Sequence, residues 1–364
     1  MRRSRWLALA LALVTGALLV ALGLPLGQDV RIRMRTLITL DPPAGPVLVR
    51  VGGHALSVTG AVVRTQEVGR LVLRAWAPTP AIEVVAAGAG PVTVVVENVP
   101  HRVDLEAAGP VEEARRGTTR TLAFTPATTR RLGFADLSRG VTFVALGDTG
   151  DDPTWVEALR LAAHMEADFF LHLGDLIYED AQMPNIAAIL ATAPVPVYMA
   201  RGNHDYRNQA RIDFMRALGP PYYLFRMGGA TFVVLDNAGN YLPTFWRRST
   251  QYRWLTGALG LPREGPLFVA AHKPPFDRRP DHRAYLDDDR FAGALMRDFV
   301  RAGVAAMFAG HAHATHFWVQ DGIPYVINGE GFYSPRGPRQ HQMAWVRVRG
   351  REVVIRQVPI WGGR

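Results

Sequence analysis

Five polar clusters punctuate this 364-residue chain between residues 147 and 313, and their side chains are of the kinds that bind cations and move protons. In order they read Gly147-Asp148-Thr149-Gly150, Gly174-Asp175-Leu176-Ile177-Tyr178, Gly202-Asn203-His204-Asp205, a lone His272, and Gly310-His311-Ala312-His313. The chain has no cysteine, which excludes disulfides, thiol nucleophiles and every cysteine-based zinc or iron–sulfur site. Any metal must therefore sit on Asp, Glu, His, Asn or Tyr, the types gathered in these clusters. Taken singly, each cluster is a weak signal. Gly-Asp after a strand is commonly a turn, and His-x-His is often surface decoration. Five in one stretch read as one site, and their glycines let the backbone turn sharply and a ligand approach.

The elements that must position these clusters are short apolar runs. Val141–Leu146, Asp168–Leu173, Val195–Ala200, Leu267–Ala271 and Val304–Ala309 each read as a strand that delivers one cluster at its carboxyl end. Tyr222–Phe225, Thr231–Leu235 and Tyr325–Ile327 read as further strands. Asp152-Pro153 is a helix start, a cap followed by proline in the first turn, and Glu157–Glu166 has helical periodicity. Pro184–Ala191 reads as a short second helix. Alternating strands and helices define an α/β domain over 138–364. In an open α/β sheet, functional groups gather just beyond the carboxyl ends of the strands.

The ordered set GDxG, GDxxY, GNHD, a His after Ala270-Ala271, and GHxH resembles the calcineurin-like metallophosphoesterases. Within them it is most similar to the purple acid phosphatase branch, over roughly Val141 to Gly329. The resemblance implies a four-layer αββα sandwich with two metals at one edge. It implies that Asp148, Asp175, Tyr178 and His313 hold the first metal, and that Asp175 bridges to a second held by Asn203, His272 and His311. A bridging carboxylate can hold two cations about 3.5–4 Å apart, close enough for both to grip one phosphate. His311 and His313, two apart in an extended segment, are expected to point the same way and so reach one site. Many relatives carry a histidine two residues after the first aspartate, where this chain has Gly150, so Tyr178 marks the branch. A phenolate is a hard anionic ligand that suits a ferric ion, and the implied cofactors are Fe(III) with a divalent Fe, Zn or Mn.

His204 resembles the histidine that contacts the phosphate and helps the leaving group depart. Asp205 beside it is expected either to orient the His204 ring or to cap a helix. Both are candidate catalytic residues. The implied reaction is in-line attack of a metal-bound hydroxide on phosphorus, with both metals and His204 stabilising charge on the phosphoryl and leaving oxygens. His172 alternates along a buried strand and reads as a satisfied core histidine, and His316 is expected to be structural. Arg278, Arg279, His282 and Arg283 occupy a loop that can line the substrate entrance. Its arginines read as solvated surface, with recognition of a second phosphate or an anionic leaving group as the sharper alternative. Plant-type members of the branch place further histidines where this chain has Lys273-Pro274-Pro275-Phe276, so those roles are not carried over.

Upstream, Val47–Val51, Leu71–Trp76, Ile82–Val85 and Val92–Val96 are Val/Leu-rich runs broken by Gly and Pro. They predict antiparallel strands of an all-β, sandwich-like domain over 28–137. His54 and His101 within it have no partner at ligand spacing. Arg2, Arg3 and Arg5 precede an uncharged apolar run, Trp6–Leu26, long enough to span a bilayer. Residues 1–27 are therefore expected to be a hydrophobic helix that is either a transmembrane signal anchor or a cleaved signal peptide. The chain is then exported, anchored facing outward or, if cut, periplasmic or secreted. The net charge of +9 rests on arginine, Lys273 being the only lysine, and favours anionic partners without choosing among them. No nucleic acid is indicated, and the sequence leaves the oligomeric state open.

The expected function is an extracytoplasmic dinuclear phosphoesterase acting on small phosphomonoesters. A second reading keeps the metals but prefers diesters, such as cyclic nucleotides or phospholipid head groups. A third, of another class, is a surface-binding protein with a vestigial metal domain. All seven ligand positions are filled, which argues against decay.

Overall fold

Period-two alternation explains the centre of the molecule. Strand 140–146 reads GVTFVAL, so Phe143 and Ala145 share one face while Val144 and Leu146 share the other. In the computed structural model, which describes residues 45–88, 90–206, 210–238, 250–279, 286, 289–332 and 341–360, the two faces enter different cores. The run expected as a hydrophobic helix at 1–27, together with His282 and Arg283, lies outside the described residues. Among the described residues, no helix is long and apolar enough to cross a membrane.

Ten strands come first: β1 (Val47–Val51), β2 (His54–Thr59), β3 (Ala61–Glu67), β4 (Arg70–Ala75), β5 (Ala81–Val85), β6 (Val92–Glu97), β7 (Asp104–Ala107), β8 (Glu112–Arg116), β9 (Thr119–Phe124) and β10 (Arg130–Ala135). They form two five-stranded sheets, ordered β1-β2-β5-β10-β7 and β3-β4-β6-β9-β8. Antiparallel pairing was expected throughout, but β4 and β6 run parallel. Leu56, Val58, Ile82 and Val84 of one sheet and Leu71, Leu73, Val94 and Val96 of the other belong to one buried cluster.

Eleven strands follow: β11 (Gly140–Leu146), β12 (Phe169–His172), β13 (Val197–Met199), β14 (Tyr223–Met227), β15 (Ala230–Val234), β16 (Leu267–Ala270), β17 (Val304–Ala309), β18 (Thr315–Gln320), β19 (Ile323–Asn328), β20 (His341–Arg349) and β21 (Glu352–Ile360). One sheet is ordered β13-β12-β11-β20-β21 and the other β14-β15-β16-β17-β19-β18. Within them β11, β12 and β13 are parallel, as are β15, β16, β17 and β19. Parallel alignment puts the carboxyl ends of these strands at one edge, where the polar clusters emerge.

The two sheets meet face to face through aromatic rings. Phe143 lies 5.2 Å from Phe169, 5.2 Å from Phe232, 5.6 Å from Phe268 and 5.4 Å from Phe308, centroid to centroid. On the outer face of the first sheet, Val144 and Leu146 pack with helices α1 (Pro153–His164), α2 (Met183–Ala191) and α3 (Ala210–Ala217). On the outer face of the second, Val233, Val269 and Met307 pack with α4 (Thr250–Leu259) and α5 (Asp289–Ala302). The layers therefore run helix, sheet, sheet, helix. Helix α1 starts where the sequence signals it: the Asp152 carboxylate accepts from Thr154 N at 2.8 Å and Pro153 opens the first turn.

Strand β13 is a sheet edge, and such edges invite unwanted pairing. Here the side chain of Asn98 completes it. Its Oδ1 accepts from Val197 N at 2.8 Å and its Nδ2 donates to Val197 O at 3.0 Å, as a neighbouring strand would. Removing the central ring tests the two-sheet core: Phe143→Ala should lower the unfolding free energy by about 3–5 kcal/mol in a denaturant titration. A loss below about 1 kcal/mol would mean that the sheets close over the gap.

Candidate metal centre

The clusters are held in backbone conformations that side chains normally avoid. Among the described residues, seven non-glycine positions have positive φ, and four of them are Asp148 (58°), Asp175 (56°), His311 (65°) and His313 (46°). Each such residue costs on the order of 1–3 kcal/mol and persists only where its surroundings over-determine it. The surroundings are close. A Cβ at Gly202 would collide with Asp175 Oδ1, and one at Gly310 with Asp148 Oδ2. Asp148 N donates to Gly174 O at 2.8 Å and Gly147 N to Asn328 O at 2.8 Å, tying together the loops that follow β11, β12 and β19.

Two groups of ligand-type atoms result. Asp175, His272 and His311 present atoms within 4.8 Å of one another, and so do Asp148, Asp175 and His313. Asp175 belongs to both. In the first group His272 Nε2 lies 3.3 Å from Asp175 Oδ2, 3.0 Å from Asn203 Oδ1 and 3.2 Å from His311 Nδ1. In the second, His313 Nε2 lies 3.4 Å from Asp148 Oδ1. His311 and His313 were expected to share an extended segment, but β17 ends at Ala309 and the chain turns, with Ala312 N donating to Gly310 O at 2.7 Å. Both histidines are then left-handed, which sends one ring to each group.

The donor chemistry fits cations. His272 Nδ1 faces the Leu173 carbonyl at 2.9 Å, which accepts its proton and leaves Nε2 aimed at the cluster. The other oxygen of each carboxylate takes a backbone N–H: His311 N donates to Asp148 Oδ2 and His204 N to Asp175 Oδ1, both at 2.7 Å. Asp148 Oδ1 is buried and accepts no hydrogen bond of ordinary geometry. Oxygen and nitrogen donors without sulfur suit hard and borderline ions.

The titration of these groups shows the same demand for positive charge. Burial raises the Asp148 pKa. Burial would also raise that of Asp175, but the neighbouring His272 and His204 outweigh it and hold the carboxyl well below its ordinary range. Burial alone would depress His272, yet the Asp175 and Asp148 carboxylates lift it to about 9. His313 is raised by its contact with Asp148, whereas burial and the adjacent His272 and Lys273 charges push His311 well down.

Tyr178 and His204 stand at the mouth of the site, their ring centroids 4.2 Å apart. A Cβ on Gly150 would lie 3.2 Å from Tyr178 Cδ2, so the glycine found where many relatives have histidine leaves room for this ring. His204 Nε2 lies 3.9 Å from Asp175 Oδ2. The expectation that Asp205 orients the His204 ring is corrected. Asp205 is fully buried, and its oxygens accept four backbone hydrogen bonds, from Asp175 N (3.0 Å), Gly202 N (2.8 Å), Leu176 N (2.9 Å) and Ile177 N (2.7 Å). Burial and the Asp175 charge push its pKa up to about 6, while four donors need both oxygens as acceptors, so the loop requires the ionised form. Asp205 is a positioning residue for Asp175.

Other expectations divide. His172 is a satisfied core histidine: Gly174 N donates to its Nδ1 at 3.2 Å, and its Nε2 meets Thr149 Oγ1 at 2.8 Å. The half-buried His316 lies against Trp318, ring centroids 6.2 Å apart and planes tilted by 45°. Arg278 is exposed, as expected of solvated surface, whereas Arg279 is half-buried. Arg278 donates to Gln320 Oε1 at 2.6 Å, and Arg279 grips Asp277 while donating to Ala312 O at 3.2 Å, inside the His311–His313 turn. Two supporting loops went unread in the sequence, although both follow strands and carry the same polar signature. One is Asp236-Asn237, in which Asn237 Nδ2 donates to Lys273 O and Oδ1 accepts from Lys273 N, bracing the chain beside His272. The other is Gly329-Glu330-Gly331-Phe332, whose Phe332 ring lies 5.5 Å from Tyr178 and 4.9 Å from His313.

Residues 141–315 match the family described as calcineurin-like phosphoesterase. The serine/threonine-protein phosphatase CPPED1 of Pongo abelii is 25% identical over 244 residues, which cover 57% of this chain and 76% of that protein. Purple acid phosphatase 21 of Arabidopsis thaliana is 29% identical over 197 residues, 48% of this chain and 44% of that protein, so the match spans less than half of that relative. Among solved structures, GAP50, the anchor in the inner membrane complex of Plasmodium, aligns with a TM-score of 0.50 at 12% identity, over 62% of this chain and 87% of that one. That last likeness is one of fold. The fold and the paired clusters define a metal-dependent phosphoester hydrolase. Over residues 141–315 the chain is thus related to the calcineurin-like phosphoesterases, with a purple acid phosphatase among its relatives.

Replacing Asp205 by Ala would strand four buried N–H groups, and should cost at least about 3 kcal/mol and accelerate amide exchange at Leu176 and Ile177. Unchanged exchange there would remove its positioning role. A second expectation concerns acid. Burial holds the His172 pKa at about 3, below its ordinary 6.5, so unfolding takes up a proton in acid. Stability from this group is complete above pH 6.5 and falls towards pH 3, by up to about 1.4 kcal/mol per pH unit. His172→Gln should flatten that part of the stability–pH curve, and an unaltered slope would assign it to another group.

Proposed function

We propose that the chain is an extracytoplasmic dinuclear phosphomonoesterase of the purple acid phosphatase type, acting on a small phosphate ester. The carrying observation is that one buried carboxylate, Asp175, belongs to both ligand groups. In this reading Asp148, Asp175, Tyr178 and His313 hold one ion, and Asp175, Asn203, His272 and His311 hold the other. Two bound cations would neutralise the carboxylates, polarise the phosphoryl group and activate the attacking water. The Tyr178 phenolate favours Fe(III) in the first position, beside a divalent Fe, Zn or Mn.

The protein's own groups then have distinct tasks. His204, partly exposed at the rim, contacts the phosphate and holds a proton towards the leaving oxygen. Tyr178 and Phe332 wall the mouth and limit water around the ester. Asp205 and Arg279 keep the metal-holding loops in their strained shape. We assign residues 1–27 to an export signal or membrane anchor and 28–137 to an accessory β domain, which puts the hydrolase outside the cytoplasm.

The test compares a nitrophenyl phosphate monoester with the matching diester on the purified chain, alongside Asp175→Asn and His204→Ala. The monoester should be preferred. Asp175→Asn should lower kcat/KM by about 10²–10³-fold or more and reduce the metal content from two ions per chain. His204→Ala should keep both ions and lower kcat by about 10²–10⁴-fold. A diester preference would overturn the monoester reading, and a wild-type chain that binds no metal would overturn the enzyme reading as a whole.

A further inference from the structure

A second feature lies away from the metal centre, where the outer face of the β3-β4-β6-β9-β8 sheet meets α2 and α3. Alternation along β4 turns Leu71, Leu73 and Ala75 into the apolar core and Arg74 to the opposite face. Arg74 is only 4% exposed. Its guanidinium makes one hydrogen bond, from Nη2 to Val197 O at 3.3 Å, and its Nε is buried without an acceptor. Among the described residues no carboxylate forms an ion pair with it; Glu97 sits opposite across the β4–β6 pairing. A buried guanidinium so poorly matched is costly unless something further solvates or pairs it.

The space beside it can hold such a group. A cleft of about 70 Å³, open to solvent on one side, is lined by Arg64, Arg74, Glu97, Thr118 and Thr119 on the sheet side. The helical wall is apolar, with Met183 and Leu190 among its residues. Two arginines against one glutamate leave one positive charge in excess. Nearby positive charge from Arg64 adds to burial in lowering the Arg74 pKa to about 10, although Glu97 opposes it. An anion would relieve the mismatch at Arg74 and the Arg64–Arg74 repulsion together.

We propose that this cleft binds a small amphiphilic oxyanion, its carboxylate or phosphate head on Arg74, Arg64 and the Thr118 and Thr119 hydroxyls, and its short apolar tail along Met183 and Leu190. The site is separate from the metal centre and does not depend on the reaction proposed there. Arg74 also grips the carbonyl of Val197 in β13, the strand that runs on into Gly202-Asn203-His204, so the head group is tied to the frame of the GNHD loop.

Calorimetric titration of the full chain with hexanoate, hexyl phosphate and hexanol tests this, with Asp175→Asn as the background that disables the metal centre. Saturable binding of hexanoate or hexyl phosphate, but not hexanol, should persist in Asp175→Asn. It should weaken at least about tenfold in Arg74→Met. Should Arg74→Met fail to fold, Arg64→Ala at the exposed rim carries the same expectation at about threefold or more. The relative strength of the two anions identifies the head group. Binding that vanishes in Asp175→Asn yet survives Arg64→Ala would place the anion at the metal centre and overturn the proposal. Equal binding of hexanol, or no binding of any probe, would overturn it as well.

Discussion

Two carboxylates, Asp148 and Asp175, are brought out of water into the same pocket, and the rest of the site is arranged around that cost. Buried like charges repel strongly in a medium that screens poorly. Backbone N–H groups of His311 and His204 satisfy one oxygen of each. The remaining oxygens face imidazoles, and one of these, His272, is driven towards its charged form by the carboxylates alone. A protonated imidazole is the protein's nearest substitute for a cation. The geometry is what a pair of metal ions would relieve, and this is why the donor set is coherent as chemistry and poor as ordinary packing.

Holding that arrangement requires rigidity in loops, which are normally the softest parts of a fold. Four left-handed residues at the ligand positions store strain, and the compensation comes from beneath. Asp205 gathers three successive N–H groups after Gly174 and one from Gly202, His172 bridges Thr149 and Gly174, and Arg279 fastens the carbonyl of Ala312 between His311 and His313. None of these needs to touch substrate. Their effect is on where the ligand atoms stand, and a displacement of about 1 Å is enough to spoil a reactive geometry.

How much of this could be read from the chain depends on whether a signal is local. Strand ends marked by glycine and a polar residue are local, so the clusters at Asp148, Asp175, Asn203, His272 and His311 were legible, as was the capped start of α1. The hairpin β20–β21 was not. Its place beside β11 rests on pairings such as Gly140 with Arg349, contacts between residues some two hundred positions apart that no short window reveals. Asp205 was misread for the opposite reason. Its neighbour in sequence, His204, suggested a local partnership, whereas its hydrogen bonds go to a loop thirty residues earlier. The loops at Asn237 and Phe332 also follow strands and carry Asp236, Asn237 and Glu330, but they fall outside the motif set that singled out the others.

The contrast between Arg74 and Arg120 shows how burial separates a scaffold from a site. Both guanidiniums are buried in the same sheet. Arg120 donates to the carbonyls of Pro100 and Gly117 and has the Glu113 carboxylate within 3.4 Å, so its charge is matched inside the fold. Arg74 has one carbonyl at 3.3 Å and an open cleft. The first arrangement has its counter-charge inside the chain, although the Arg120 Nε, like that of Arg74, makes no hydrogen bond. The second is complete only when something enters from outside, and the same reasoning distinguishes Asp205, whose four donors close its account, from Asp148, whose buried Oδ1 still lacks one.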